Sequence, residues 1–231
     1  MLKNTLINRA ATKKIAQALG AMNERVVYVG GAVVSLYIDD SSARDVRPTK
    51  DIDISMEIAS IGALEAIREE LVQKGFYQSS EDDVICRFRY EDIKVDLMAT
   101  EAIGWAPANP WFASGYRNRI TIEMDGLAIQ CLSLPYYVAT KFTAFYDRGS
   151  KDPRTSQDFE DIVYLLNYTS TLKEQVLAAD PEVKAYLIEC FQDLLEDAVK
   201  QEAILGNLFH EDQANRYNKI ITLLNQITQG L

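Results

Sequence analysis

Two short stretches in the first quarter of the chain limit what it can fold into. Val27-Tyr-Val-Gly-Gly-Ala-Val-Val-Ser-Leu-Tyr37 reads as an apolar strand that ends in Gly30-Gly31 and passes directly into a helix. With no Cβ at such a junction, backbone N–H groups can come close to a polyphosphate. Twenty positions beyond Gly31, Asp51-Ile-Asp-Ile54 opens a second strand. The strand period of two puts the Asp51 and Asp53 carboxylates on one face and Ile52 and Ile54 on the other, toward a core. Carboxylates in neighbouring pleats repel each other, so the pattern is costly without a cation between them. A phosphate cradle followed by a divalent-metal clamp is equipment for phosphoryl or nucleotidyl transfer.

A third carboxylate belongs to the same pattern. In the strand expected over Ile93–Met98, Ile93, Val95 and Leu97 share one face, which leaves Asp96 on the other with Lys94 and Met98. Three carboxylates on two adjacent strands can surround two divalent ions roughly 3.5–4 Å apart. The chain has a single histidine, His210, and three cysteines scattered at 86, 131 and 190. An all-oxygen ligand set of Asp51, Asp53 and Asp96 therefore favours Mg²⁺ or Mn²⁺ over zinc. The competing reading is structural: Asp51 and Asp53 cap a turn, and Asp96 pairs with Lys94 or an arginine. Ser35, one turn into the helix after the glycines, is within reach of a phosphate. Arg44, Arg47 and Lys50, just ahead of the acidic pair, either meet phosphates or an acceptor or keep a loop solvated.

The remaining pattern is α+β. Apolar periodicity predicts a helix over Thr5–Met22 ending near Gly20, strands over Arg25–Val29 and Ile52–Glu57, and a helix over Ala59–Lys74 closed by Gly75. Strands over Val84–Tyr90 and Ile93–Met98 meet at Glu91-Asp92, and Asp125-Gly126 marks a two-residue hairpin between Ile120–Met124 and Leu127–Cys131. Between them lies an irregular stretch, Thr100–Arg119, whose Trp105, Trp111, Phe112 and Tyr116 either stack a base or anchor the loop. From Ser133 onward the pattern is helical, and Gly149 is expected to cap a helix that starts at Ser133-Leu-Pro135. These signals divide the chain into a catalytic domain, 1–132, built on a mixed sheet with flanking helices, and an all-helical part, 133–231, covering one side of that sheet.

On the first C-terminal helix, Lys141, Ala144, Arg148 and Lys151 fall within about 80° of arc. Three cations with an alanine between them suit a triphosphate that faces the metal site. The alternative is a salt-bridged helix face with Asp152, Asp158 and Asp161 as partners. Composition narrows the partners. The net charge of −10, and ten acidic against five basic side chains from Leu172 to Leu231, argue against broad duplex DNA binding. No apolar run is long enough for a membrane span. An N-terminus without an apolar signal region and an odd number of unpaired cysteines point to a reduced, cytoplasmic protein.

Val29-Gly-Gly-Ala-Val and Pro48-Thr-Lys-Asp-Ile-Asp-Ile54 together resemble the signature of the polymerase-β-like nucleotidyltransferase superfamily. The Gly-Gly-Ala form is shared with tRNA CCA-adding enzymes and with AbiEii-type toxin nucleotidyltransferases. CCA-adding enzymes carry Arg-Asp soon after the glycines, where this chain has Val34-Ser35. The later segment from Lys141 through Arg148 and Lys151-Asp152 to Asp158-Phe-Glu-Asp161 is similar instead to the helical segment of AbiEii-type proteins. The resemblance covers roughly Val26 to Leu166. It implies transfer of a nucleoside monophosphate from an NTP to an acceptor hydroxyl on tRNA, protein or an antibiotic-like small molecule, and a cognate antitoxin as partner. Within it, Asp51, Asp53 and Asp96 are the expected catalytic and metal-binding residues. Gly30, Gly31, Ser35, Lys141 and Arg148 are expected to hold the nucleotide. A regulatory module that binds nucleotide without turnover is the alternative from another functional class.

Overall fold

A computed structural model describes residues 2–49 and 51–230, so that Lys50 lies outside the described residues. The chain separates into two compact units, Met1–Leu36 with Arg44–Ser133, and Tyr37–Ala43 with Leu134–Leu231. The short segment Tyr37–Ala43 counts with the second unit, although nothing in its sequence separates it from the loop that follows.

The first unit is α+β. Helix α1 (Lys3–Leu19) ends where Gly20 turns to φ 56°, as its sequence predicts. Its first-turn amides are satisfied at long range: Asn4 and Thr5 donate backbone N–H groups to the Asp45 carboxylate at 2.7 and 2.8 Å. A 3-10 turn leads to strand β1 (Val27–Tyr28), and a second 3-10 segment, Gly31–Tyr37, follows the glycines. The helix that the sequence predicts after the glycines is thus of the 3-10 form. Seven residues that include β-branched Val33 and Val34 gain little from an α nucleus, and burial holds them in the tighter form.

Strand β2 (Asp51–Met56) runs into helix α2 (Ile61–Gln73), which Ser60 caps by accepting the Ala63 N–H. Strands β3 (Arg87–Tyr90) and β4 (Ile93–Ala99) form a hairpin. The stretch after β4 is anchored by a short helix, α3 (Phe112–Arg117), before the hairpin of β5 (Arg119–Met124) and β6 (Leu127–Leu132). Asp125 and Gly126 take φ 53° and 80°, the left-handed pair that a tight hairpin turn requires. The sheet order is β3-β4-β2-β1-β6-β5, with β2 parallel to β4, β1 parallel to β6 and the other pairs antiparallel. The parallel β2–β4 step needs a crossover, which α2 supplies. Ile52, Ile54, Phe88, Val95 and Leu97 are buried, and their alternation fixes the register in which the polar face is displayed.

The second unit is largely helical: α4 (Leu134–Ala144), α5 (Gln157–Tyr168), α6 (Leu172–Leu177), α7 (Pro181–Glu196), α8 (Ala198–Gly206) and α9 (Gln213–Thr228). Phe142 packs edge-on to Phe191 with ring centres 5.7 Å apart, and Phe145 lies 5.0 Å from Phe159. Segment Tyr37–Ala43 joins this unit through Tyr37, stacked on Tyr137, and through the Asp39 and Asp40 amides, both donating to the Tyr168 carbonyl. Arg216 of α9 donates to the Asp40 carboxylate at 2.8 Å and so draws that carboxyl well below its ordinary range. Helix α4 does not end in a glycine cap. It widens into a π turn over Phe145–Gly149, and Gly149 has no left-handed φ. The glycine is needed for space, since a Cβ there would lie 2.2 Å from Ser156 Oγ.

Candidate active site

The acidic residues come together on the polar face of two adjacent strands. In the parallel β2–β4 register Asp53 stands beside Asp96 and Asp51 beside Lys94. Because Asp51 and Asp53 are two apart, all three carboxylates lie on one face, opposite the buried Ile52, Ile54, Val95 and Leu97. Asp96 is buried, and Asp51 and Asp53 are half-buried.

The glycines belong to the same site, by a contact that the sequence does not reveal. A Cβ on Gly30 would sit 1.7 Å from Asp53 Oδ2 and 2.5 Å from its Cγ. The chain just beyond β1 therefore rests directly on the Asp53 carboxylate, and the Val29 N–H donates to the Asp53 carbonyl at 3.0 Å. At Gly31 the missing side chain leaves room for Arg47, whose Nη2 would be 2.2 Å from a Cβ. Neither glycine adopts a left-handed φ, so close approach alone accounts for both. The loop that carries Arg47 into β2 is pinned to α1. Buried Asn8 accepts from Thr49 Oγ1 at 3.1 Å and donates to the Arg47 carbonyl at 3.4 Å. Ser35 Oγ is buried and has no hydrogen-bond partner among the described residues.

Arg87 is the site residue that sequence reasoning missed. It faces Asp96 across the β3–β4 hairpin. Its guanidinium forms a two-pronged pair with that carboxylate, Nε to Oδ1 at 2.7 Å and Nη2 to Oδ2 at 2.6 Å. Nη2 also reaches Asp51 Oδ2 at 3.0 Å. The bond to Asp96 raises the Arg87 pKa further, and the group is a permanent cation. A signal for it existed. If Glu91-Asp92 is the turn, Tyr90 pairs with Ile93, and counting back places Arg87 opposite Asp96. Next to this pair, Arg89 grips Asp82 at 2.7 and 3.0 Å, which lowers the Asp82 pKa to about 2.

Asp51 and Asp53 supply the hard oxygen donors, on one face, that suit Mg²⁺ or Mn²⁺. Asp96 gives both its oxygens to Arg87, and no group of three His, Cys, Asp or Glu among the described residues is arranged to hold a metal. The aromatic residues of the long loop serve as anchors: Trp105 donates its indole N–H to Glu65, and Trp111 and Phe112 are buried.

Within the second unit Lys141 is buried and donates to Asp161 at 2.7 Å, with Asp158 at 3.7 Å. Arg148 keeps a largely exposed side chain and pairs with Asp158 at 2.8 and 3.1 Å. The cations proposed for a phosphate thus have the acidic residues of α5 as their partners.

No curated protein matches the chain. Among solved structures it is similar to an antigenic nucleotidyltransferase-like protein from Paracoccidioides brasiliensis, with a TM-score of 0.48 and 15% identity over 85% of this chain and 91% of that one. It is also similar to the antibiotic-resistance factor ANT(2'')-Ia, with a TM-score of 0.49 and 19% identity over 82% of this chain and 96% of that one. The sequence model of one family, described as "Nucleotidyl transferase AbiEii toxin, Type IV TA system", matches residues 17–226, and the chain belongs to that family of nucleotidyltransferase enzymes.

Proposed function

We propose that this enzyme transfers a nucleoside monophosphate from an NTP to an acceptor hydroxyl, using the carboxylates of β2 and β4. The observation that carries the reading is the β2–β4 register, which sets Asp53 beside Asp96 with Asp51 on the same face and Gly30 against Asp53. Mg²⁺ or Mn²⁺ bound at Asp51 and Asp53 would neutralise phosphoryl oxygens and acidify the acceptor hydroxyl. The chain's own groups do the positioning. The backbone at Gly30 and Gly31 approaches the triphosphate, and Ser35 Oγ, lacking a partner among the described residues, donates to one of its oxygens. Asp96, held in orientation by the Arg87 fork, assists removal of the hydroxyl proton. Within the second unit Lys141 and Arg148 remain the candidates for nucleotide oxygens, each already paired with a carboxylate of α5.

Family membership favours a toxin acting on tRNA or on a protein and held in check by a cognate antitoxin. A small-molecule acceptor is the second reading. The test is to incubate the purified protein with each α-labelled NTP, Mg²⁺ and, separately, total tRNA, a protein extract and aminoglycoside-type polyols. Label should pass to one acceptor class with release of pyrophosphate, and Asp51→Asn/Asp53→Asn should abolish the transfer while leaving circular dichroism unchanged. Equal labelling by that variant and the parent would place the chemistry elsewhere.

A further inference from the structure

We propose that Arg87 is a resident cation occupying the place of a second divalent ion, so that the carboxylate site of this chain takes one metal ion and not two. The inference rests on the nucleotidyl-transfer reading and sharpens it. Asp51, Asp53 and Asp96 together carry three negative charges on one face of β2 and β4. Arg87 supplies positive charge to that cluster from inside the fold, bonded to Asp96 and Asp51.

The geometry assigns these roles unequally. Arg87 uses a planar fork on Asp96, at 2.7 and 2.6 Å, which engages both oxygens of that carboxylate. The side chains of this pair are 15% and 13% exposed. A two-pronged guanidinium–carboxylate pair away from water is hard to separate, because either partner alone would be left as a desolvated charge. Asp51 receives a single N–H from Arg87, at the longer distance of 3.0 Å, and its side chain is 34% exposed. It can exchange that single bond for a metal ion at little cost. A divalent ion therefore settles on Asp51 and Asp53, while Asp96 stays with Arg87 and is fixed in orientation by it. Arg87 is in this sense a positioning residue. It contributes permanent positive charge at the site whatever the metal concentration, and the β3–β4 hairpin delivers it there in register.

The test counts ions and uses no acceptor. Mn²⁺ alone is titrated into the purified full chain, and free Mn²⁺ is followed by electron paramagnetic resonance. The parent should bind one ion at saturation, Asp51→Asn/Asp53→Asn none, and Arg87→Gln two, since removing the guanidinium frees both Asp96 oxygens. Arg87→Lys keeps the charge without the fork and should stay at one; it also covers the case in which the glutamine variant fails to fold. Two ions bound by the parent would overturn the proposal and leave the nucleotidyl-transfer reading standing. No ions bound by the parent would overturn both. An Arg87→Gln protein that is folded and still binds one ion would also overturn it, because Asp96 would then be no ligand even when free.

Discussion

Replacing Gly30 by alanine tests whether the glycine pair serves to seat the Asp53 carboxylate. The added Cβ would stand 1.7 Å from Asp53 Oδ2, 2.5 Å from Cγ and 2.6 Å from the Asp53 Cβ. Rotating the Asp53 side chain removes the first two clashes but not the third, because its Cβ moves only with the strand. To reach an ordinary contact of 3.4 Å, β2 must recede by about 0.8 Å in a packed sheet that resists such shifts. Overpacking of this kind costs about 1–3 kcal/mol, and a misplacement near 1 Å at reacting groups costs about 100-fold in rate. The backbone at Gly30 is not left-handed, so none of the loss comes from φ. Gly31→Ala is the internal control. Its nearest neighbour is the far end of the Arg47 side chain, at 2.2 Å, which can move without shifting a strand, so the loss of stability should be smaller than for Gly30→Ala. Urea denaturation gives the stabilities and pyrophosphate release gives the rates. Equal losses for the two alanine variants, or an unchanged Gly30→Ala protein, would refute the claim that the glycine exists to admit Asp53.

Three further outcomes follow from the same contacts. Asp51→Asn/Asp53→Asn should lose transfer activity by at least about 1,000-fold, for want of the charged ligands on which electrostatic stabilisation depends, with its melting temperature within a few degrees of the parent by calorimetry. Lys141→Met leaves the buried Asp161 carboxylate without its cation, so it should destabilise the chain by about 3–5 kcal/mol in urea titrations, and Lys141→Met/Asp161→Leu should recover most of that loss. Arg216 depresses the Asp40 pKa, so the stability this pair gives is present above the ordinary carboxylate range and is lost as pH falls below about 4. Asp40→Asn should flatten that part of the stability–pH curve, and an unchanged acid limb would deny the pair its role.

Where a local rule had a local consequence, the sequence predicted the fold well. Alternation in Asp51-Ile-Asp-Ile54 predicts which side chains are buried, alternation in β4 puts Val95 and Leu97 in the core opposite Asp96, and Asp125-Gly126 predicts the hairpin turn that forms. The misses come from packing between residues distant in sequence. Gly149 looked like a helix cap, but its partner is Ser156 in a turn that the helix period does not specify. The path of Tyr37–Ala43 depends on Arg216, more than 170 positions away, and on a carbonyl at Tyr168. No window on the chain contains both partners.

The same division explains the site. Its three carboxylates could be found because strand periodicity and a family resemblance both select them, and both are properties of short segments. What neutralises the carboxylates was harder to find, because a repulsive cluster can be relieved by a metal ion or by a side chain and the pattern of acids is the same in either case. The choice between these depends on the register of a neighbouring hairpin. A shift of one residue in β3 would turn Arg87 to the buried face and present Phe88 to Asp96. Phe88 is fully buried, so the core fixes the register, and the register in turn fixes a cation on the face that carries the carboxylates. A bulky apolar residue at position 88 is thus part of the reason the site carries its own positive charge. A polar substitution there should loosen the Arg87–Asp96 pair before it disturbs either residue directly.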